Sequence, residues 1–588
     1  MILPGRNIAL SLALLASAAA GGEGRKPPYV SGRTLLDGEA VDVVLASAQA
    51  PEAKALMVQE KEDVFGCCSG DVPRPSSSMM EEGECAELVP ALIGEAPQYS
   101  TEQALAVLDD ASAAWAGGSG EWTQMSLGRR ARAIERFAEE FLPMRERVVE
   151  TLMWEIGKNR PDAEAEFDRT LAFIGQVLAA VRDADADEYS GRWRLIGSTH
   201  AFVRRTAIGI ILCLGPYNYP LNETYATLIP ALLMGNIVVM KVPTVGGLVH
   251  MHAMEAFAKA LPAGAIHFVS GTGRATMPPM METGKIDGLA FIGGASAADD
   301  LISRHPSPHR LTVFLQLEGK NMGIFLEDLF GTDGPMPGHL LDHAIGQAVT
   351  GALSFNGQRC TALKLMFVPE GKGEEVARKI ADQVEQLTVG LPWQTFGPDG
   401  AYSQITPLPN RKRIEYMQSL IEDATAKGAR IVNANGGDVV GGGGSTLMNP
   451  AVLFPITPDM DLYHEEQFGP IVAVAEYGDL DTVLTYARDG WNGQQASIFT
   501  AAGGDGDAAT LIDRFSSVFG RINLNAQCGR SPDSLPFSGR RSSAMGVMSI
   551  TDALREFSVP TVIAYKENGI QNNVVRDIQK GSSFMEDM

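Results

Sequence analysis

Between residues 207 and 292 the chain repeats one pattern: a short, largely apolar run, then a helix-like stretch. The runs are Ala207 to Leu214, Ile237 to Met240, Ile266 to Val269 and Leu289 to Ile292. Strands that are apolar on both faces belong in a parallel sheet covered on both sides. Right-handed crossovers then place helices over both faces. This pattern predicts an α/β domain of dinucleotide-binding type. A second α/β block is expected from about Leu311, with runs at Leu311 to Leu317, Met322 to Leu326 and Leu363 to Val368. Its helices should cover about His339 to Leu353 and Glu374 to Leu387. Upstream, Leu105, Leu108, Ala111 and Trp115 mark one helix face, and Ile134, Phe137, Phe141 and Leu142 another. Further helices are expected near Val149 to Ile156 and over Phe167 to Val181, with short strands and loops over residues 23–95.

The 588 residues carry 48 Lys and Arg against 71 Asp and Glu, a net charge of −23. That argues against sequence-independent nucleic-acid binding, which needs a basic surface. It leaves room for small anionic ligands, because a local arginine cluster outweighs the mean field at short range. No apolar run in the body reaches about 18 residues, which argues against an integral membrane protein. Six scattered cysteines make no disulfide scaffold and no zinc spacing, so no metal is expected. At the start, Arg6, the apolar stretch Ile8 to Leu15 and the small residues Ala16 to Gly22 follow the plan of a cleavable signal. A cytoplasmic location is expected, or a plastid if that segment is a signal.

Two segments carry chemistry. Gly357-Gln358-Arg359-Cys360-Thr361 places a cationic neighbour beside a thiol, and such a neighbour favours the nucleophilic thiolate. Gly215-Pro216-Tyr217-Asn218-Tyr219-Pro220 follows a buried run and precedes a helix. Asn218 could cap that helix or aim its amide at a developing oxyanion.

With Met240-Lys241-Val242-Pro243, Phe291-Ile292-Gly293-Gly294, Glu465-Glu466-Gln467-Phe468-Gly469-Pro470 and Pro536-Phe537-Ser538-Gly539, these segments stand in the order seen in aldehyde dehydrogenases. The resemblance covers nearly the whole chain. It implies Cys360 as the nucleophile that forms a thiohemiacetal and then a thioester. It also implies an oxyanion hole from the Asn218 side chain and the Cys360 N–H. Lys241 is similar to the family's adenosine-ribose contact, Glu466 to its nicotinamide-ribose acid and Phe468 to the neighbouring aromatic. Gly293 and Gly294 would lie near the pyrophosphate, where absent side chains let the backbone approach. Many NAD-preferring relatives carry a glutamate three residues after the lysine. Thr244 stands there, which favours NADP, with NAD still possible.

The chain most resembles the non-phosphorylating, NADP-dependent glyceraldehyde-3-phosphate branch of that family. The branch's phosphate pocket corresponds to Arg169, Tyr219, Arg359 and Arg530, and arginine forks suit phosphate oxygens. The resemblance therefore implies a phosphorylated aldehyde as substrate. One departure stands out. The family's water-activating glutamate lies four residues before a lysine, and Gln316 occupies that position before Lys320. Glu318 is assigned instead as general base, because residues 316 and 318 share a face if the strand continues. Without a base there, an acceptor such as coenzyme A could take the acyl group, or the chain could bind nucleotide without turnover.

The expected architecture is α/β and aldehyde-dehydrogenase-like. A Rossmann-type coenzyme domain (40–185 and 206–318) and an α/β catalytic domain (319–548) are joined by a small β oligomerisation arm (186–205 and 549–567). Residues 1–39 form an N-terminal extension and 568–588 a tail. The apolar segment Val559 to Lys566 should pair near Trp193 to His200, and a homodimer or homotetramer is expected.

Overall fold

A computed structural model describes residues 60–69, 89–183, 191–331, 337–501, 506–566 and 571–585. The signal-like segment at residues 1–39 lies outside the described residues. The four apolar runs become strands β1 (Ile210–Leu214), β2 (Ile237–Lys241), β3 (Ile266–Val269) and β4 (Gly288–Ile292). A fifth, β5 (Thr312–Gln316), lies beside β4. The order is β5–β4–β1–β2–β3, and every neighbouring pair is parallel. The Leu311 to Leu317 run, expected to open the second block, instead closes the first sheet. Its apolar side chains complete the cover of β4, and sheet membership is a matter of neighbours that the run itself does not encode.

Sequential strands lie on opposite sides of β1, so the chain reverses its direction of travel there. The crevice at the carboxyl ends of strands at such a reversal is where open α/β sheets bind ligands. Helices Thr101–Trp115 and Asn222–Leu233 pack on this sheet, and their apolar faces join one large buried core.

A second sheet has seven strands: β6 (Asn321–Phe325), β7 (Leu363–Pro369), β8 (Arg430–Ile431), β9 (Ala451–Phe454), β10 (Ile471–Tyr477), β11 (Gln495–Phe499) and β12 (Arg521–Leu524). Its order is β8–β9–β10–β7–β6–β11–β12, parallel except at β8. Two separate apolar clusters cover it, one including Met322, Leu365 and Ile498, the other Phe325, Met366 and Phe499. Alternate residues of each strand thus feed opposite layers. Residues Ala544–Met545 cross to pair antiparallel with β5, tying the late chain to the first sheet.

A third sheet has three strands. Thr199–Ala207 pairs antiparallel with Trp193–Ile196 and with Ser558–Lys566. Ala207 therefore belongs to this sheet rather than to the run that follows it. In the early region, Glu60–Ser69 and Val89–Gln98 form one antiparallel pair.

Candidate active site

Cys360 is delivered by an unusual turn. After helix Pro337–Leu353, three consecutive residues are left-handed: Phe355 at φ +49°, Asn356 at +57° and Gly357 at +70°. Asn tolerates this region and Gly requires no tolerance, but Phe355 costs about 1–2 kcal/mol. A Cβ on Gly357 would stand 2.5 Å from the Gly469 carbonyl oxygen. The turn is held by its surroundings. Asn356 donates to Thr406 Oγ1 at 3.0 Å and accepts from the Thr406 N–H at 2.8 Å. Lys364 Nζ donates to the Gly357 carbonyl at 2.8 Å. Cys360 leaves this turn partly buried, just before β7.

Two asparagines grip the same loop. Asn218 Nδ2 donates to the Gln358 carbonyl at 2.7 Å, which brings the Asn motif against the Cys motif across the two sheets. Asn321, at the start of β6, donates to the Cys360 carbonyl at 2.6 Å and to the Ala362 carbonyl at 2.9 Å. Tyr217 donates to Gln358 Oε1 at 3.0 Å, and its ring meets Phe468 edge-on at 6.0 Å.

The electrostatics oppose an ionised thiol. Burial pushes the Cys360 thiol up to about 12, and the Glu223 and Glu466 carboxylates add to the rise, while Gln494 and Arg359 draw it down. Burial also raises the Glu466 carboxyl above its usual range, with Lys364 pulling it back. Lys364, buried beside it, falls below its ordinary value. The Gly319 N–H donates to Glu466 Oε1 at 3.3 Å. Lys320 is fully engaged, donating to the Leu462 and Glu465 carbonyls and to Gln467 Oε1, each at 2.7 Å.

The crevice beside β1 has the features a dinucleotide needs. Helix Ala295–Arg304 opens at Gly294 with no side-chain cap, so its first N–H groups and its dipole face the crevice. Glu318 Oε1 already lies 3.3 Å from the Ala295 N–H, an anion in the position such a helix start favours. A Cβ on Gly294 would stand 3.0 Å from that same oxygen, so the Glu318 side chain would have to shift slightly to admit one. Gly293 follows β4 and donates its N–H to the Gln316 carbonyl. Lys241 ends β2, buried, with its ammonium on the Val242 carbonyl and its pKa lowered to about 8 by burial. Thr244 is exposed in the loop that follows and brings no negative charge. These residues fit a pyrophosphate-bearing dinucleotide.

The strand face expected to carry Glu318 ends early. β5 stops at Gln316, so residues 316 and 318 do not share a strand face. Gln316 is buried, and its Oε1 has no hydrogen-bond partner. Glu318 is exposed on the turn beyond. That turn touches the nucleophile, since a Cβ on Gly319 would lie 2.7 Å from the Cys360 carbonyl oxygen.

On the opposite side lie Arg169, Tyr219, Arg359 and Arg530. Arg169 forms a two-pronged pair with Asp533, at 2.7 and 3.1 Å. Arg530, only 7% exposed, lies 2.8 Å from Glu223 and 3.2 Å from Asp533. Arg359 donates to the Cys528 carbonyl at 3.5 Å and has no carboxylate partner among the described residues. The Tyr219 ring carries the Lys158 ammonium at 3.5 Å, and Lys158 is paired with Glu166 in full burial. Sequence reasoning missed Asn321, Lys364, Glu223, Asp533, Lys158 and Gln494. Lys158 in Gly157-Lys158-Asn159 and Glu223 in Asn222-Glu223-Thr224 stand among other polar residues, so nothing local singles them out. Their pairing partners are far away in sequence, Glu166 apart, and no local pattern names them.

The family model for the aldehyde dehydrogenase family matches residues 85–563. An NADP-dependent glyceraldehyde-3-phosphate dehydrogenase of Streptococcus equinus is 29% identical over 466 residues, 78% of this chain and 90% of its own. The enzyme of that name from Pisum sativum is 27% identical over 472 residues, covering 78% and 87%. A solved structure of the NADP-dependent glyceraldehyde-3-phosphate dehydrogenase from Bacillus halodurans C-125 complexed with NADP superposes with a TM-score of 0.72 at 28% identity, covering 86% of this chain and 96% of that one.

Proposed function

The chain belongs to the aldehyde dehydrogenase family, and from that premise we propose that it oxidises glyceraldehyde 3-phosphate to 3-phosphoglycerate. The observation that supports this reading is the Asn218 hydrogen bond to the Cys360 loop, with Arg359 acting on that thiol and Arg169 and Arg530 sharing Asp533. The relatives' names supply the substrate, and Arg169, Tyr219, Arg359 and Arg530 supply a chemistry that suits a phosphate dianion.

In this reading Cys360 attacks the aldehyde carbon, and the Asn218 amide and the Cys360 N–H receive the negative charge on oxygen. NADP, when bound, supplies the hydride acceptor. Lys241 and Thr244 would hold its adenosine ribose, Gly293 and Gly294 its pyrophosphate, and Glu466 and Phe468 its nicotinamide half. Glu318, on the turn that touches the nucleophile loop, takes a proton from the water that hydrolyses the thioester. The coenzyme, catalytic and arm boundaries expected from sequence are part of this proposal, as is a homo-oligomer built on the arm.

Mixing purified protein with NADP and glyceraldehyde 3-phosphate, without inorganic phosphate, should produce reduced cofactor measured by absorbance. Activity with other aldehydes but none with this one would overturn the substrate. A second reading is favoured by Gln316 at the strand end: the thioester passes to coenzyme A. One equivalent of reduced cofactor followed by silence, relieved by coenzyme A, would support it.

A further inference from the structure

We propose that Lys364 is a positioning residue that sets the distance between the nucleophile and the nicotinamide half of the coenzyme. The proposal rests on the reading above, in which Cys360 attacks and Glu466 and Phe468 hold that half.

Lys364 is 1% exposed, and its ammonium forms no ion pair among the described residues. An ammonium taken out of water is costly unless its protons find acceptors. Here two of them do, on two different elements. Nζ donates to the Gly357 carbonyl at 2.8 Å and to the Gln467 carbonyl at 2.6 Å. Gly357 belongs to the left-handed turn that delivers Cys360. Gln467 stands between Glu466 and Phe468. The ammonium also lies 4.8 Å from the centre of the Phe468 ring, a cation–π contact. One side chain therefore spans the nucleophile turn and the loop of the nicotinamide half.

Further contacts tighten this join. Gln467 Nε2 donates back to the Lys364 carbonyl at 2.6 Å. The two backbones approach so closely that a Cβ on Gly357 would stand 2.5 Å from the Gly469 carbonyl oxygen. Lys320 makes the contrast. It is a second buried lysine on the same loop, but its bonds to the Leu462 and Glu465 carbonyls and to Gln467 Oε1 all stay within residues 462–467. Lys320 shapes the loop, and Lys364 fixes where the loop stands relative to Cys360. Hydride transfer from the carbon bound to Cys360 is sensitive to that spacing, because a misplacement of about 1 Å can cost about a hundredfold in rate.

Lys364→Met nearly keeps the length of the side chain and removes its donors. In the full chain without coenzyme, hydrogen exchange read by mass spectrometry should become faster in peptides covering residues 355–360 and 465–470. NADP affinity, read by titration calorimetry, should weaken. The kcat should fall about tenfold or more, while the KM for glyceraldehyde 3-phosphate changes less than about twofold. With that substrate deuterated at its aldehyde carbon, the isotope effect on kcat should rise, since hydride transfer becomes the slow step. Lys364→Arg keeps charge and donors and should restore most of the turnover. Lys364→Gln can still reach one carbonyl and should fall between. Melting temperatures identify any variant that does not fold, and Lys364→Gln then carries the test. Unchanged exchange in folded variants would overturn the proposal. Faster exchange with an unchanged isotope effect and unchanged NADP affinity would make Lys364 a structural residue only, and would overturn it equally. Turnover retained by Cys360→Ser, or full NADP affinity in Glu466→Ala, would instead overturn the reading on which the proposal rests.

Discussion

Arg530 and Glu223 show how few charges the substrate side has to spare. Two arginines, 169 and 530, share two carboxylates, Asp533 and Glu223, so the cluster is close to neutral before any ligand arrives. A phosphate dianion must take over part of the Arg530 fork. Replacing Arg530 by Leu would remove that fork and leave Glu223 facing the pocket uncompensated. The KM for glyceraldehyde 3-phosphate should then rise about tenfold or more, since hydrogen bonds to charged groups are worth about 1.5–3 kcal/mol. The KM for an unphosphorylated aldehyde should change far less, and equal changes in both would remove Arg530 from phosphate recognition. Breaking a buried pair also destabilises, so the kinetics belong well below the melting temperature. Glu318 is tested separately. Glu318→Gln should leave the first equivalent of reduced cofactor intact and block steady turnover, measured by stopped-flow absorbance. Unchanged steady turnover would move the base elsewhere, with Glu466, which accepts the Gly319 N–H, as the next candidate.

At the scale of elements, the helix Leu248–Ala260 and the strand β3 beside it have a shared liability. His250 is fully buried with neither ring nitrogen paired, and burial lowers its pKa to about 3. His252 and His267 are lowered to about 4, also mainly by burial. The native state thus keeps these rings neutral where the unfolded chain, with histidine near 6.5, binds protons. Stability therefore falls as pH drops from about 6.5 towards 4, by about 1.4 kcal/mol per pH unit for each ring. His250→Leu should make that fall shallower by one ring's share in denaturant titrations at pH 7, 6 and 5. Parallel curves for variant and natural protein would show that His250 is protonated in the fold. The elements themselves were largely readable from periodicity. The helix expected over Glu374 to Leu387 spans Gly373–Val384, and the run at Leu363 to Val368 is strand β7. The Leu311 run was readable as a strand, but its sheet was not: the run pattern opened a second block with it, while the boundary at 318 kept it in the coenzyme domain. An apolar strand satisfies its side chains against any buried neighbour, and only the packed chain selects which.

The whole molecule carries a net charge of −23 yet is proposed to hold two anions, NADP and a sugar phosphate. Placed groups must do this against the mean field: Lys241, Arg359, Arg530 and the start of helix Ala295–Arg304. The third sheet is the other feature at this scale. Leu195 and Ile196 are 54% and 68% exposed, and Val559 and Val562 are 47% and 58% exposed. Neighbouring strand residues point to opposite faces, so these apolar side chains are spread over both faces of the three-stranded sheet, and a homo-oligomer built on it would cover some of them. Light scattering coupled to size exclusion should give a dimer or tetramer, and Ile196→Asp with Val562→Asp should give a monomer. A natural protein that is monomeric at micromolar concentration would refute the arm's assigned role. The sequence by itself determined the layered α/β plan, because buried parallel strands must be apolar on both faces. The order of its motifs also marked Cys360, Asn218 and the arginines as candidates, through the resemblance to a known family rather than through residue type alone. Only the tertiary structure decided the partners. It set Asn321 on the Cys360 carbonyl, Glu223 on Arg530 and Glu318 at the Ala295 helix start. Such pairings join residues tens to hundreds of positions apart, and a hydrogen bond of about 3 Å depends on how two sheets pack, which no local pattern encodes.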